Sequence, residues 1–216
     1  MELLKSLLET HPYIDKHPID FSRRNIFIGT FPPNMTNRRA SKLDFYYGGN
    51  MDLWSILSKI YKNEDFTSLE GINQFLFKYS FSITDIIYKC KRKFQTSSLD
   101  KELTAVELNP YLIKNLANSQ IENIYFNSKS GMTSSLRLFL NAFNIKYIGR
   151  FNNDQYTLNI GDKLLNCYNL YSCSPSALTG IVNSKHFISF KEMHPLGDLC
   201  EFRVWYYKKY LPKPIN

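Results

Sequence analysis

Apolar positions recur along the chain with two different periods. Residues 2–9, ELLKSLLE, place them at helical spacing and predict a short amphipathic helix. Residues 25–30, NIFIGT, are a compact apolar run that reads as a buried strand feeding a tight turn. Pro32 and Pro33 forbid further ladder pairing there. Leu53, Trp54, Ile56, Leu57 and Ile60 return to helical spacing, with Asp52 placed as an N-cap. Residues 65–79 predict another helix, broken near Gly71, and residues 82–87 read as a strand that then turns basic. A helix is expected over 107–119 with Pro110 near its first turn, and a second buried strand over 121–127. Residues 134–143 predict a helix, 146–151 a third strand, and 155–173 a hairpin around Gly161-Asp162. A basic aromatic helix closes the pattern at 201–211.

The unit strand, polar turn, helix thus occurs twice, at 25–60 and at 121–143. Two such units predict an α/β fold, and we expect a three-layer α/β/α sandwich with a short, mainly parallel central sheet. Without repeats or a linker-like stretch, residues 1–216 read as a single domain.

Composition refines this picture in a few places. The 216 residues are 44% hydrophobic and 21% charged, an ordinary globular balance. No apolar run reaches the ~18 residues of a membrane span, and the start lacks a secretory pattern, so a soluble, cytoplasmic protein without membrane contact is expected. A monomer is expected as well. The formal net charge of +8 favours polyanionic partners. Cys90, Cys167, Cys173 and Cys200 form no C-x-x-C pair, and the four histidines are scattered. Reduced, mostly buried thiols are therefore expected, with no metal and no cofactor.

In open α/β sheets, ligands bind beyond the carboxyl ends of the strands. Loops 30–34, 127–133 and 172–180 leave such ends, and the stretch FYYGGNMDLW at 45–54 follows the first of them. Their convergence predicts one aromatic pocket with a few small polar groups. A Walker loop, a dinucleotide fingerprint and a G-x-S-x-G elbow are all absent from the sequence. A weakly charged aromatic pocket on a basic protein suits a flipped nucleobase.

Five stretches carry a family likeness: IGTFPP, FYY…N…W, SITDIIYKCKRKFQTSSLDKEL, IYFNSKSG and SCSPSA. In order and spacing, over residues 24 to 180, they resemble the uracil-DNA glycosylase superfamily. The resemblance extends to its mismatch-specific uracil/thymine-DNA glycosylase and hypoxanthine-DNA glycosylase branches. It implies a monofunctional DNA glycosylase that hydrolyses the N-glycosidic bond of a flipped-out base and leaves an abasic site. Uracil, hypoxanthine or a bulkier modified pyrimidine, such as phage DNA carries, would be the base. It also implies DNA, double- or single-stranded, as the partner.

The same resemblance implies roles. Gly29, Thr30, Phe31 and Pro32 would wrap the base and the attacking water. Phe31 stands where many branches carry a catalytic Asp or Asn, so the catalytic group must come from elsewhere. Asn50 is the first candidate and Asp52 the second. Tyr47 would stack on the base, and Asn127 and Ser128 would bond its edge or simply form a turn. Gly48 and Gly49 either enlarge the pocket or answer a backbone need. Ser174, Pro175 and Ser176 would enter the minor groove, with the register Cys173-Ser174 also open, and Leu178 would be the wedge. Lys129, Lys185, Arg38 and Arg39 would contact phosphates. Asp85, after Thr84, reads as a turn carboxylate rather than a pocket residue. Two other readings stay open: an inactive superfamily member that grips DNA or modified bases, and a nucleoside or nucleotide hydrolase.

Overall fold

Strand β2 (Asn25–Gly29) is buried at every residue, and it lies inside a five-stranded sheet. The computed structural model describes residues 8–33, 43–48, 53–93, 100–128, 130–174 and 177–215. In chain order the strands are β1 (Leu8–Thr10), β2, β3 (Phe81–Asp85), β4 (Ile87–Arg92), β5 (Leu103–Leu108), β6 (Asn123–Phe126), β7 (Gln155–Ile160) and β8 (Lys163–Asn169). The helices are α1 (Leu53–Ile60), α2 (Leu69–Lys78), α3 (Pro110–Asn115), α4 (Ser135–Ala142), α5 (Leu178–Val182), α6 (Lys185–Met193) and α7 (Leu199–Tyr207).

The larger sheet has the order β3-β2-β6-β8-β7. β2 runs parallel to β3 and β6, β6 parallel to β8, and β7 antiparallel to β8 across the predicted hairpin. Alternation along each strand sends its side chains to opposite faces. Phe27 and Tyr125 join a cluster with Leu57, Phe75 and Phe202 from α1, α2 and α7. Ile26, Ile28, Ile124 and Phe126 join a second cluster with Leu112 of α3 and Leu136 and Phe139 of α4. Apolar cover on both faces explains why β2 and β6 read as continuous hydrophobic runs.

A second, three-stranded antiparallel sheet, β1-β4-β5, was not in the sequence expectation. It overturns two assignments. Leu8–Thr10 is strand rather than the end of a helix, because it pairs with Lys89, Cys90 and Lys91 of β4. Glu9 Oε1 also accepts a 2.7 Å bond from Arg92 Nε, so tertiary pairing overrides local helical spacing. Residues 103–108 are strand β5, and the helix expected from 107 begins at Pro110. Proline keeps its predecessor out of helical geometry. Asn109 accordingly sits at φ −59°, ψ 103°, and its side chain caps the Tyr111 and Leu112 amides.

The strand expected at 146–151 is also absent. Gly149–Asn152 is a 3-10 turn that buries Phe151, and β7 holds the β8 edge that such a strand would need. Helix α2 runs unbroken through Gly71, with Ser68 as its N-cap. Cys90, Cys167 and Cys173 are buried free thiols, and Cys200 is a partly exposed one. Among the described residues no helix is long and apolar enough to cross a membrane.

Phe75 shows how much the aromatic face of the sheet carries. It is fully buried, with ring centroids 4.9 Å from Tyr61 and 5.8 Å from Phe81. Phe75→Ala is expected to lower stability by ~3–5 kcal/mol, read as a lower urea midpoint. Phe77→Ala, two residues on and 70% exposed, is expected to cost under ~1 kcal/mol in the same assay.

Candidate active site

Parallel pairing of β2, β3, β6 and β8 brings their carboxyl ends to one edge of the sheet. Gly29 is the last residue of β2, and Ile28 O and Gly29 O accept amides from Asn127 and Ile86 in the segments beyond β6 and β3. Three side chains gather at this edge. Asp85 ends β3, Asn127 follows β6, and Tyr47 descends from the turn at 43–48.

Gly29 marks where they meet. A methyl group on it would lie 2.1 Å from Asp85 Oδ1 and 2.2 Å from Tyr47 Oη, so any side chain there would have to displace both groups. Asn127 Nδ2 donates to Tyr47 Oη at 2.9 Å. Asn127 is buried, and among the described residues its Oδ1 has no hydrogen-bond partner. A buried amide oxygen of this kind is a ready acceptor for a ligand N–H.

The other Asp85 oxygen is fixed from below. His11, directly after β1, bonds Asp85 Oδ2 through Nε2 at 2.9 Å, with its own side chain wholly buried. His11 Nδ1 accepts the amides of Tyr13 and Ile14, which leaves the ring proton on Nε2 to donate to the carboxylate. Phe31 stands edge-on to His11 at 5.3 Å, and the Arg92 guanidinium lies 5.4 Å over its ring.

Tyr47 reaches the site from a strained backbone, at φ 54°. Its turn is closed by Leu43 N–H to Gly48 O and Gly48 N–H to Phe45 O, and Trp54 Nε1 ties Tyr46 O to α1 at 2.8 Å. Gly48 is a backbone need rather than pocket space: a Cβ there would sit 2.1 Å from Leu43 O. Burial, then the charge of Asp85, push the Tyr47 hydroxyl well above its ordinary value, so it stays protonated.

A second carboxyl, that of Asp100, lies within electrostatic reach of Asp85 and Tyr47. Asp100 opens the 3-10 turn before β5, and its backbone oxygen accepts Thr133 Oγ1 at 2.7 Å. Burial lifts its carboxyl to about 6; the Thr30 hydroxyl opposes, the Asp85 charge adds, and Arg92 opposes.

The positions expected from sequence fall into four groups. Gly29, Thr30, Tyr47 and Asn127 come together. Phe31 and Pro32 lie beside them, but Phe31 packs inward on His11 and Pro32 O accepts Arg92 Nη2 at 2.7 Å. Ser128 O receives the Leu136 amide and the Ser135 hydroxyl, which is turn chemistry at the start of α4. Ser174 O, beyond β8, accepts Arg203 Nη2 at 3.3 Å, and Cys173 Sγ lies 3.2 Å from Tyr207 Oη. Leu178 opens α5 at 48% exposure, and Lys185 is an exposed first residue of α6. Asn50, Asp52, Gly49, Pro175, Ser176, Lys129, Arg38 and Arg39 lie outside the described residues.

The sequence reading missed His11 and Asp100 and placed Asp85 in a turn. Asp85 is instead the buried last residue of a wholly buried strand. An acid closing such a strand was the available signal.

The Asp100 shift makes a stability prediction. Between about pH 4 and 6 the folded chain binds the proton that the unfolded chain has released, so stability falls as pH rises through that window. Asp100→Asn is expected to flatten this slope in denaturant titrations. It should add at most ~3 kcal/mol at pH 7 and almost nothing at pH 4. No protein-family model matches the chain, and none of the curated proteins matches it.

Proposed function

We propose that the chain is a DNA glycosylase that hydrolyses the bond between a flipped base and its sugar. The observation that carries this reading is the meeting of Asp85, Tyr47 and Asn127 over the bare backbone of Gly29. We read the architecture as the three-layer α/β/α sandwich that the resemblance implies, with helices on both faces of the sheet. The free thiols and basic charge fit a cytoplasmic protein with DNA as its partner.

Breaking an N-glycosidic bond develops positive charge on the sugar and needs an oriented water. A carboxylate can do both tasks: it stabilises the cation and takes the water's proton. Asp85 Oδ1 is aimed at the cluster while Oδ2 is held by His11, so the carboxylate is fixed before substrate arrives. The Tyr47 ring supplies an aromatic surface for the base, and Asn127 Oδ1 supplies an acceptor for its edge. Asn50 and Asp52 precede α1 in sequence and are the further candidates for orienting water.

Base release by mass spectrometry tests the reading. Duplex and single-stranded DNAs carrying uracil, hypoxanthine, a thymine mismatch or phage-type modified cytosines form the panel. Wild type is expected to release at least one base. Asp85→Asn, whose amide oxygen still accepts from His11, should lose ~10²–10⁴-fold in rate. Loss in Asn50→Ala or Asp52→Ala with full activity in Asp85→Asn would move the catalytic role to the segment before α1. Tight DNA binding with no released base would favour a binding module instead.

A further inference from the structure

Tyr47 brings a ring and a hydroxyl to the site, and the mechanism above uses only the ring. The hydroxyl oxygen accepts Asn127 Nδ2 at 2.9 Å. Asn127 is buried, its backbone N–H donates to Ile28 O, and its Oδ1 has no hydrogen-bond partner among the described residues. An asparagine that nothing orients can offer a ligand either its oxygen or its NH₂, since the two ends have nearly the same shape. Here a neighbour chooses between them. Asp85 Oδ1 and Tyr47 Oη lie 2.1 Å and 2.2 Å from the point that a Gly29 methyl group would occupy, so the phenol faces a carboxylate oxygen that can only accept. The phenol hydrogen is drawn to that side, which leaves an Oη lone pair for the Asn127 NH₂. His11 Nδ1 accepts the Tyr13 and Ile14 amides, so Nε2 carries the proton that faces Asp85 Oδ2. The sense of donor and acceptor is thus set from two backbone N–H groups, through His11, Asp85 and Tyr47, to Asn127.

We infer that the Tyr47 hydroxyl determines specificity: it turns the Asn127 amide so that Oδ1 faces the base, and the site takes a base with a ring N–H, not a ring-nitrogen lone pair, at that edge. This rests on the glycosylase reading. Tyr47 acts through Asn127 and is a positioning residue. A ring N–H satisfies the buried Oδ1. A ring lone pair sets two acceptors against each other. Turning the amide to donate would then set Oδ1 against the Tyr47 lone pair and give up the 2.9 Å bond. A site built around a buried hydrogen bond rejects a ligand that cannot make it, because the partner is left unpaired. The hydroxyl is held in place by the fold. Tyr47 sits at φ 54° in a turn closed by Leu43 and Gly48, and Trp54 Nε1 ties the preceding Tyr46 O to α1.

Pairs of bases that differ at this edge test the inference. Uracil, thymine and hypoxanthine carry a ring N–H; pyrimidin-2-one, its 5-methyl analogue and purine carry a lone pair at the same ring position. Single-turnover release of each, and of the modified cytosines, is measured from single-stranded DNA, where base pairing adds no difference. Wild type, Tyr47→Phe and Asn127→Ala are compared, so the intrinsic reactivity of each base cancels between proteins. Wild type is expected to prefer the N–H member of a pair ~10–10²-fold more than Asn127→Ala does. Tyr47→Phe keeps the ring and frees the amide, and its preference should fall to within ~3-fold of that of Asn127→Ala. A purely structural role would slow both members alike and leave the preference unchanged. A wild-type preference equal to that of Asn127→Ala, an undiminished preference in Tyr47→Phe, or a modified cytosine released ahead of all three N–H bases overturns the inference and leaves the glycosylase reading standing. Failure of wild type to release any base overturns both.

Discussion

The site depends on a close approach at the end of β2. Asp85 Oδ1 and Tyr47 Oη both crowd the point where a Gly29 side chain would be. Parallel pairing fixes that meeting, since Gly29 is in register with Asp85 across β2 and β3. The neighbouring pair, Ile28 with Phe126, sets Asn127 on the other side. Gly29 therefore joins two facts: the sheet has a strand there, and Asp85 and Tyr47 occupy the space its side chain would take.

Around this point the fold handles buried charge by distributing it. Asp85 is balanced by a hydrogen bond from His11, which the small antiparallel sheet delivers through β1. Arg92, at the far end of β4, is balanced by Glu9 on the same β1 strand. The second sheet is thus the frame that carries the partners of two buried charged groups. Breaking such a pair by removing one partner leaves a costly unpaired charge. The site and the small sheet are consequently expected to be coupled in stability, although their strands belong to different sheets.

Much of the main sheet was legible because its signals are local. The runs at 25–29 and 123–126 and the hairpin at 155–169 follow from apolar continuity and from Gly161. The second sheet was hidden for the opposite reason. Leu8–Thr10 alternates too briefly to announce a strand and becomes one by pairing with residues some eighty positions away. Within the site, Tyr47 and Asn127 were found through motif order and strand-end logic. His11 sat in a His-Pro loop with nothing to mark its partner, and that partnership is written only in three dimensions. Gly48 decides between the two readings its sequence allowed: it answers a backbone need, because the Leu43 carbonyl fills the space a side chain would take.

The central claim is that a flipped base binds at the carboxyl edge of the sheet, beside the hydrogen-bonded Tyr47 and Asn127 side chains. A crystal structure with a duplex carrying a hydrolysis-resistant 2′-fluoro nucleotide addresses it directly. The account predicts the extruded base against the Tyr47 ring, with Asn127 Oδ1 on its edge and Asp85 Oδ1 facing C1′. DNA seated on another face, or a base stacked away from the ends of β2, β3 and β6, would contradict it.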